Sequence, residues 1–223
     1  MIYLVSNTIF KDENIKQISL LEIKFFSFYV NLDAFEAIII SSKNSINALK
    51  FNAILPANVP VFAISKASAK AAFDFGFSEV YDFSASDARE FSQLLEPKIK
   101  QKRVLYLRGE DVAFNLALSL KNKGIEVSEL ICYKNEPVKS HILASPEPKS
   151  IIIFASALNF KAFFNKFGFS DDYVGIAIGK STALAMSERG VSFQMPQNPS
   201  LKECVNLAKA IENKLASSKE RLK

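Results

Sequence analysis

Ile38-Ile39-Ile40-Ser41-Ser42 and Ile152-Ile153-Phe154-Ala155-Ser156 are two versions of one pattern, an apolar strand that runs out into serine. The offset from Ser42 to Ser156 also carries Ala63-Ile64 onto Ala177-Ile178, Lys66 onto Lys180, Gly76 onto Gly190, Ser78 onto Ser192 and Ser86 onto Ser200, with no gap. A single apolar strand before a helix is common. An ungapped register through two strand-helix units predicts two copies of one half-protein, and a ligand site is the usual reason for such halves to be kept together.

Strand and helix patterns alternate around this repeat. Apolar runs bounded by turn residues span 2–5, 36–40, 61–64, 104–107, 127–131, 151–154 and 174–178, and helical spacing covers 45–51, 67–75, 87–99, 112–122, 159–167, 181–189 and 201–215. Helices between short, fully apolar strands imply parallel sheets covered on both faces, hence an α/β fold. Gly76, Gly124 and Gly190 each close a helical pattern before a strand, the place of a left-handed cap. Two polar stretches, Asn31-Leu32-Asp33 and the segment from Lys134 to Ser140, interrupt the alternation and read as linkers. The expected organisation is an inserted lobe at 34–131 within a discontinuous lobe made of 1–30 and 138–223, with linkers at 31–33 and 132–137.

Composition narrows the chemistry. The chain has 223 residues, 49% of them hydrophobic, enough for packed cores, and no apolar run approaches the roughly 20 residues of a membrane span. Two cysteines, Cys132 and Cys204, make no disulfide framework, and the start at Met1 lacks the pattern of a cleaved leader, so a cytoplasmic protein is expected. The net charge of +5 favours acidic ligands weakly. Lys98, Lys100, Lys102 and Arg103 end a predicted helix, and Lys219–Lys223 form a basic tail; both read as solvated charge, so no nucleic-acid partner is expected. His141 is the single histidine, neither cysteine has metal-ligand spacing, and no GxxxxGK[ST] or GxGxxG loop is present, so neither metal nor organic cofactor is expected.

Catalysis would then rest on positioning, backbone amides and hydroxyls. Ser41-Ser42 and Ser156 end strands, while Ser65 with Ser68, and Ser181-Thr182, open helices after theirs. These are the places where α/β sheets bind ligands, and free amides at helix starts hold anions without help from basic side chains. Each serine is equally suited to be an ordinary N-cap.

Ile153-Phe154-Ala155-Ser156, then Ala177-Ile178-Gly179-Lys180-Ser181-Thr182-Ala183 with Gly190-Val191, resemble the signature of the uroporphyrinogen-III synthase family. Val104-Leu105-Tyr106-Leu107-Arg108-Gly109, and Gly124-Ile125-Glu126-Val127 leading to Cys132-Tyr133, are similar to that family's middle region. The likeness runs from about Ala37 to Ala210. The chain departs from the family at Ser6-Asn7-Thr8, where Thr-Arg is frequent, at Ser65, where glycine is frequent, and at Ser156-Ala157, where a serine-proline pair is common.

The resemblance implies two flavodoxin-like lobes joined by a two-stranded linker, acting as a monomer. It implies a lyase that closes hydroxymethylbilane, a linear tetrapyrrole with eight carboxylates, into uroporphyrinogen III with loss of water and inversion of ring D. On this reading Ser42, Ser65, Ser68, Ser156, Ser181 and Thr182 bind substrate. Tyr133 matches the family tyrosine that assists loss of the hydroxyl, or else packs at the hinge. Arg108 and Lys180 add charge, unless Arg108 pairs with Glu110 or Asp111. A non-catalytic two-lobed anion-binding or regulatory module is the alternative, since fold alone does not specify activity.

Overall fold

The computed structural model describes residues 1–139 and 144–220, the side chains of 218–220 excepted. His141 and the side chains of the basic tail from Lys219 lie outside these residues. In chain order the elements are β1 (Ile2–Val5), β2 (Ile15–Ile18), β3 (Leu21–Phe25), β4 (Ala37–Ile40), α1 (Lys43–Phe51), β5 (Val61–Ala63), α2 (Lys66–Phe75), β6 (Val80–Asp82), α3 (Ala88–Ile99), β7 (Arg103–Gly109), α4 (Leu116–Lys121), β8 (Glu126–Pro137), β9 (Ile151–Phe154), α5 (Ala157–Phe167), β10 (Val174–Ala177), α6 (Lys180–Ser187), β11 (Phe193–Gln194) and α7 (Leu201–Glu220). The chain divides into two compact units, Met1–Glu22 with Glu136–Lys223, and Ile23–Asn135.

The second unit is built on the sheet order β3-β8-β7-β4-β5-β6. β4 lies between β7 and β5 in parallel register, Ile39 opposite Tyr106 and Phe62. All four residues of β4 are fully buried because both faces are covered. Ile38 and Ile40 join Leu105, Leu107, Ile46 and Leu49 in one cluster, and Ala37 and Ile39 join Tyr106, Phe91, Leu95 and Leu116 in the other. That two-sided burial is why the strand reads as an unbroken apolar run.

The first unit repeats the plan with a different chain path, in the order β11-β10-β9-β1-β2. β9, α5, β10 and α6 stand where the repeat places β4, α1, β5 and α2, while the neighbour corresponding to β7 is the N-terminal strand β1, parallel to β9 with Leu4 opposite Ile153. One face of the sheet packs Phe154, Phe160, Phe163 and Met186, and the other packs Ile151, Ile153 and Ile176 against Cys204, Val205 and Ala208 of α7.

The chain crosses between units at Glu22/Ile23 and Asn135/Glu136, so residues 23–30 belong with the second unit. Asn31-Leu32-Asp33 is not a linker: Leu32–Ala34 form a single 3-10 turn capped by the Asn31 side chain, and Leu32 is buried in the second unit's core. The polar stretch beginning at Lys134 likewise continues β8 as far as Pro137. The short strands β2, β3, β6 and β11 lacked a legible signal. β2, for instance, reads Ile-Lys-Gln-Ile and takes its conformation from pairing with β1.

The Phe154 ring lies 5.1 Å from that of Phe160 and 5.3 Å from that of Phe163, both near perpendicular, the arrangement aromatic quadrupoles favour. Truncation leaves a cavity that these rings cannot all fill. Phe154→Ala should cost about 3–5 kcal/mol, read as a lowered urea midpoint of the transition that includes the first unit.

Candidate active site

Both sheets reverse direction at their centres, the chain running outward from β4 through β5 to β6 and then returning to β7 on the other side. Ligands of such sheets bind beyond the carboxyl ends at that reversal. In the second unit this point carries Ser41, Ser42, Tyr106, Gly109 and Tyr133. Ser42 caps α1, its hydroxyl accepting from the Asn44 amide at 3.2 Å. Ser41 Oγ and the Tyr106 hydroxyl lie 3.0 Å apart. One turn into α1, the buried Ser45 hydroxyl donates to the Leu107 carbonyl at 2.8 Å.

Tyr133 is placed by a defect in the ladder. Pairing runs regularly to Arg108 opposite Ile131 and then shifts, so that Gly109 faces Tyr133 with Cys132 as the extra residue. Bulges of this kind re-aim a side chain, and here Cys132 and Tyr133 both join the same core cluster. The Tyr133 ring lies over Gly109 so closely that a Cβ there would sit 2.8 Å from its Cε2. The Glu110 amide then donates to the Tyr133 carbonyl at 2.8 Å, holding the backbone in place. Burial pushes the Tyr133 phenol above its usual range, partly offset by a hydrogen bond with Ser42 and reinforced by Cys132. The group stays protonated throughout the neutral range and is a proton donor there.

The serine of the second strand, Ser65, caps α2; its oxygen accepts from the Ser68 amide at 3.4 Å and lies 3.1 Å from the Ser68 hydroxyl, which is buried. Ser68 therefore presents no free hydroxyl to a ligand. Arg108 does not pair with the side chains of Glu110 or Asp111. Its Nε donates to Glu129 at 2.9 Å and its Nη1 to the carbonyls of Gly109 and Glu110, so it braces the strand end.

In the first unit Ser156 caps α5, and its hydroxyl accepts from both the backbone amide and the side-chain amide of Asn159, at 3.1 and 2.9 Å. α6 opens at Gly179 with no side-chain cap. Ser181 and Lys180 are exposed beside it, whereas Thr182 is buried with its hydroxyl oxygen lacking a partner among the described residues. The first turn of α6 thus offers backbone amides without a side-chain acceptor.

One electrostatic feature was missed in the sequence although it is written there. α1, α2, α4, α5 and α6, which follow interior strands, carry no acidic residue in the first turn, while α3 and α7, which follow the edge strands β6 and β11, carry Glu90 and Glu203. An acid there would neutralise the positive end of the helix. Its absence leaves the centre of each carboxyl edge ready for anions. Among the described residues no cluster of histidine, cysteine and carboxylates suited to a metal ion is found, and no helix is long and apolar enough to cross a membrane.

The Cys132 thiol, buried beside Tyr133, is pushed up to about 12, chiefly by burial, from an ordinary value of 9.0. A thiol that holds its proton more tightly when folded contributes stability that is complete below the ordinary value and is lost as pH rises toward the folded one. The urea midpoint should fall as pH rises from about 9 toward about 12, and Cys132→Ala should flatten that fall.

The family described as Uroporphyrinogen-III synthase HemD matches residues 14–206. Among solved structures, uroporphyrinogen-III synthetase from Helicobacter pylori is similar at 28% identity and a TM-score of 0.80, covering 94% of this chain and 98% of that one. A mutant uroporphyrinogen III synthase from Thermus thermophilus shares the fold at 14% identity and a TM-score of 0.56, over 92% and 91% of the two chains. No match was found among curated proteins. With the family's pattern spanning residues 14–206, most of its length, this chain belongs to the uroporphyrinogen-III synthase family.

Proposed function

We propose that this hydro-lyase closes hydroxymethylbilane by anchoring its carboxylates on the acid-free helix starts of each unit while Tyr133 protonates the departing hydroxyl. The observation that carries the anchoring is the distribution of acids: helix starts are left electropositive at the centre of both sheets and neutralised at the edges. Each unit offers its own donors. Ser42 and Ser65 with the first turns of α1 and α2 serve one, and Ser156 and Ser181 with the first turns of α5 and α6 serve the other. Ser68 and Thr182 contribute their backbone amides and the firmness of the turn, their side chains being buried. A substrate with eight carboxylates has groups enough for both sets.

Hydroxide is a poor leaving group. As the C–O bond breaks, pushed by the adjacent pyrrole nitrogen, Tyr133 delivers its proton and the oxygen leaves as water. The azafulvene so formed is attacked by the substituted carbon of the last ring, and the resulting spiro intermediate rearranges to the inverted product. The proton lost from the last ring at aromatisation restores the phenol, so no net acid is consumed. Closure without inversion occurs spontaneously. The protein's contribution is therefore selective orientation, and tenfold selection between isomers requires about 1.4 kcal/mol, within the reach of a few charge-assisted hydrogen bonds. We read the protein as a cytoplasmic monomer working without nucleic acid, metal or organic cofactor.

Fresh hydroxymethylbilane incubated with the protein should give mainly uroporphyrinogen III, and buffer alone the type I isomer, separated chromatographically after oxidation to porphyrins. An isomer ratio equal to buffer would leave the anion-binding module as the better reading.

Tyr133→Phe should lower kcat on the order of tenfold or more with the fold intact. Gly109→Ala should act through the same residue, since its methyl would displace the Tyr133 ring. It should lower kcat in the native background and add little to Tyr133→Phe.

A further inference from the structure

Ser42 and Ser156 are equivalent in the repeat, yet their hydrogen-bonding capacities differ. The Ser42 hydroxyl accepts from one amide, that of Asn44. The Ser156 hydroxyl accepts twice from a single residue, from the Asn159 backbone amide at 3.1 Å and from its Nδ2 at 2.9 Å. A hydroxyl oxygen has two acceptor positions and one proton. With both positions filled, the remaining capacity of the half-buried Ser156 is to donate.

We propose that Asn159 is a positioning residue that makes Ser156 an obligate donor. Ser156 then receives a carboxylate of the tetrapyrrole and turns away its pyrrole N–H groups. This rests on the synthase reading above. Two further observations support it. Asn159 is itself 6% exposed, and its Oδ1 has no hydrogen-bond partner among the described residues. A buried amide held with its oxygen unpartnered needs a reason, and the reason here is that the opposite end must face Ser156. The equivalent residue of the second unit, Ser45, spends its hydroxyl on the Leu107 carbonyl and leaves Ser42 alone. The two units thus differ in how they use the same serine: in one its hydroxyl accepts from a single amide, in the other both accepting positions are filled by one residue.

The test is steady-state kinetics with hydroxymethylbilane on Asn159→Asp and Asn159→Ala, each also in the Ser156→Ala background. Conversion by the unaltered protein is established first, and its failure would concern the synthase reading alone. An aspartate in this place accepts, so Ser156 would donate inward and be lost to the substrate. Asn159→Asp should raise KM about tenfold with kcat nearly unchanged, and Asn159→Ala should raise it less. Both increases should vanish when Ser156 is already alanine. An unchanged KM in folded Asn159→Asp would overturn the proposal, because Ser156 would then already be donating inward. The same increase with Ser156 present or absent would overturn it too, by assigning Asn159 to packing. Should the aspartate variant fail to fold, Asn159→Ala and its pairing with Ser156→Ala decide the matter by the same two criteria.

Discussion

The parallel pairing of β4 with β7, and of β9 with β1, is the constraint on which the remaining features depend. Each pair lies at the point where its sheet reverses direction, and each is buried on both faces, so a slip of one residue would turn every side chain into the opposite core layer, where its neighbours do not fit it. Fixing Ile40 opposite Leu107 fixes where Ser41 and Ser42 emerge and where Gly109 ends its strand. Fixing Phe154 opposite Val5 does the same for Ser156.

From those positions the electrostatics follow with little further contribution from charged side chains. The helices after interior strands carry no acid in the first turn, and α1, α2, α5 and α6 among them begin with serine or glycine caps, so their amide ends remain positive. Lysines such as Lys43 and Lys66 are exposed at these turns, and Arg108, the basic residue nearest Tyr133 on β7, is occupied with Glu129 and two carbonyls. Recognition of carboxylates by dipoles and hydroxyls suits a flexible substrate that must be held in one conformation, because such donors are directional and already ordered.

The two units share a plan and differ at their strand ends. A bulge at Cys132 and the bare backbone of Gly109 bring a phenol to the second unit's strand ends, and burial keeps that phenol protonated. Among the described residues the first unit has no counterpart of Tyr133, its second neighbour strand being the short β2, and Asn159 Oδ1 and Thr182 Oγ1 are buried there without a hydrogen-bond partner. The two units thus differ at the level of single hydrogen bonds: the hydroxyls of Ser45 and Ser68 have side-chain or backbone partners, where Asn159 Oδ1 and Thr182 Oγ1 have none among the described residues.

The repeat, the α/β class, the buried central strands and the capping serines were legible in the sequence, because apolar periodicity and N-cap chemistry are local properties. The ungapped offset from Ser42 to Ser156 even placed α1, α2, α5 and α6 to within about two residues. What only the tertiary structure decided involves contacts between distant segments. The return of β1 to pair with β9, the inclusion of Leu32 in a core where its polar neighbours suggested a linker, the lodging of Ser68 and Thr182 below the surface, and the seating of Tyr133 on Gly109 each depend on a partner far along the chain. A sequence window records what a residue prefers. Burial, register and the last unpaired lone pair are set by what arrives opposite it.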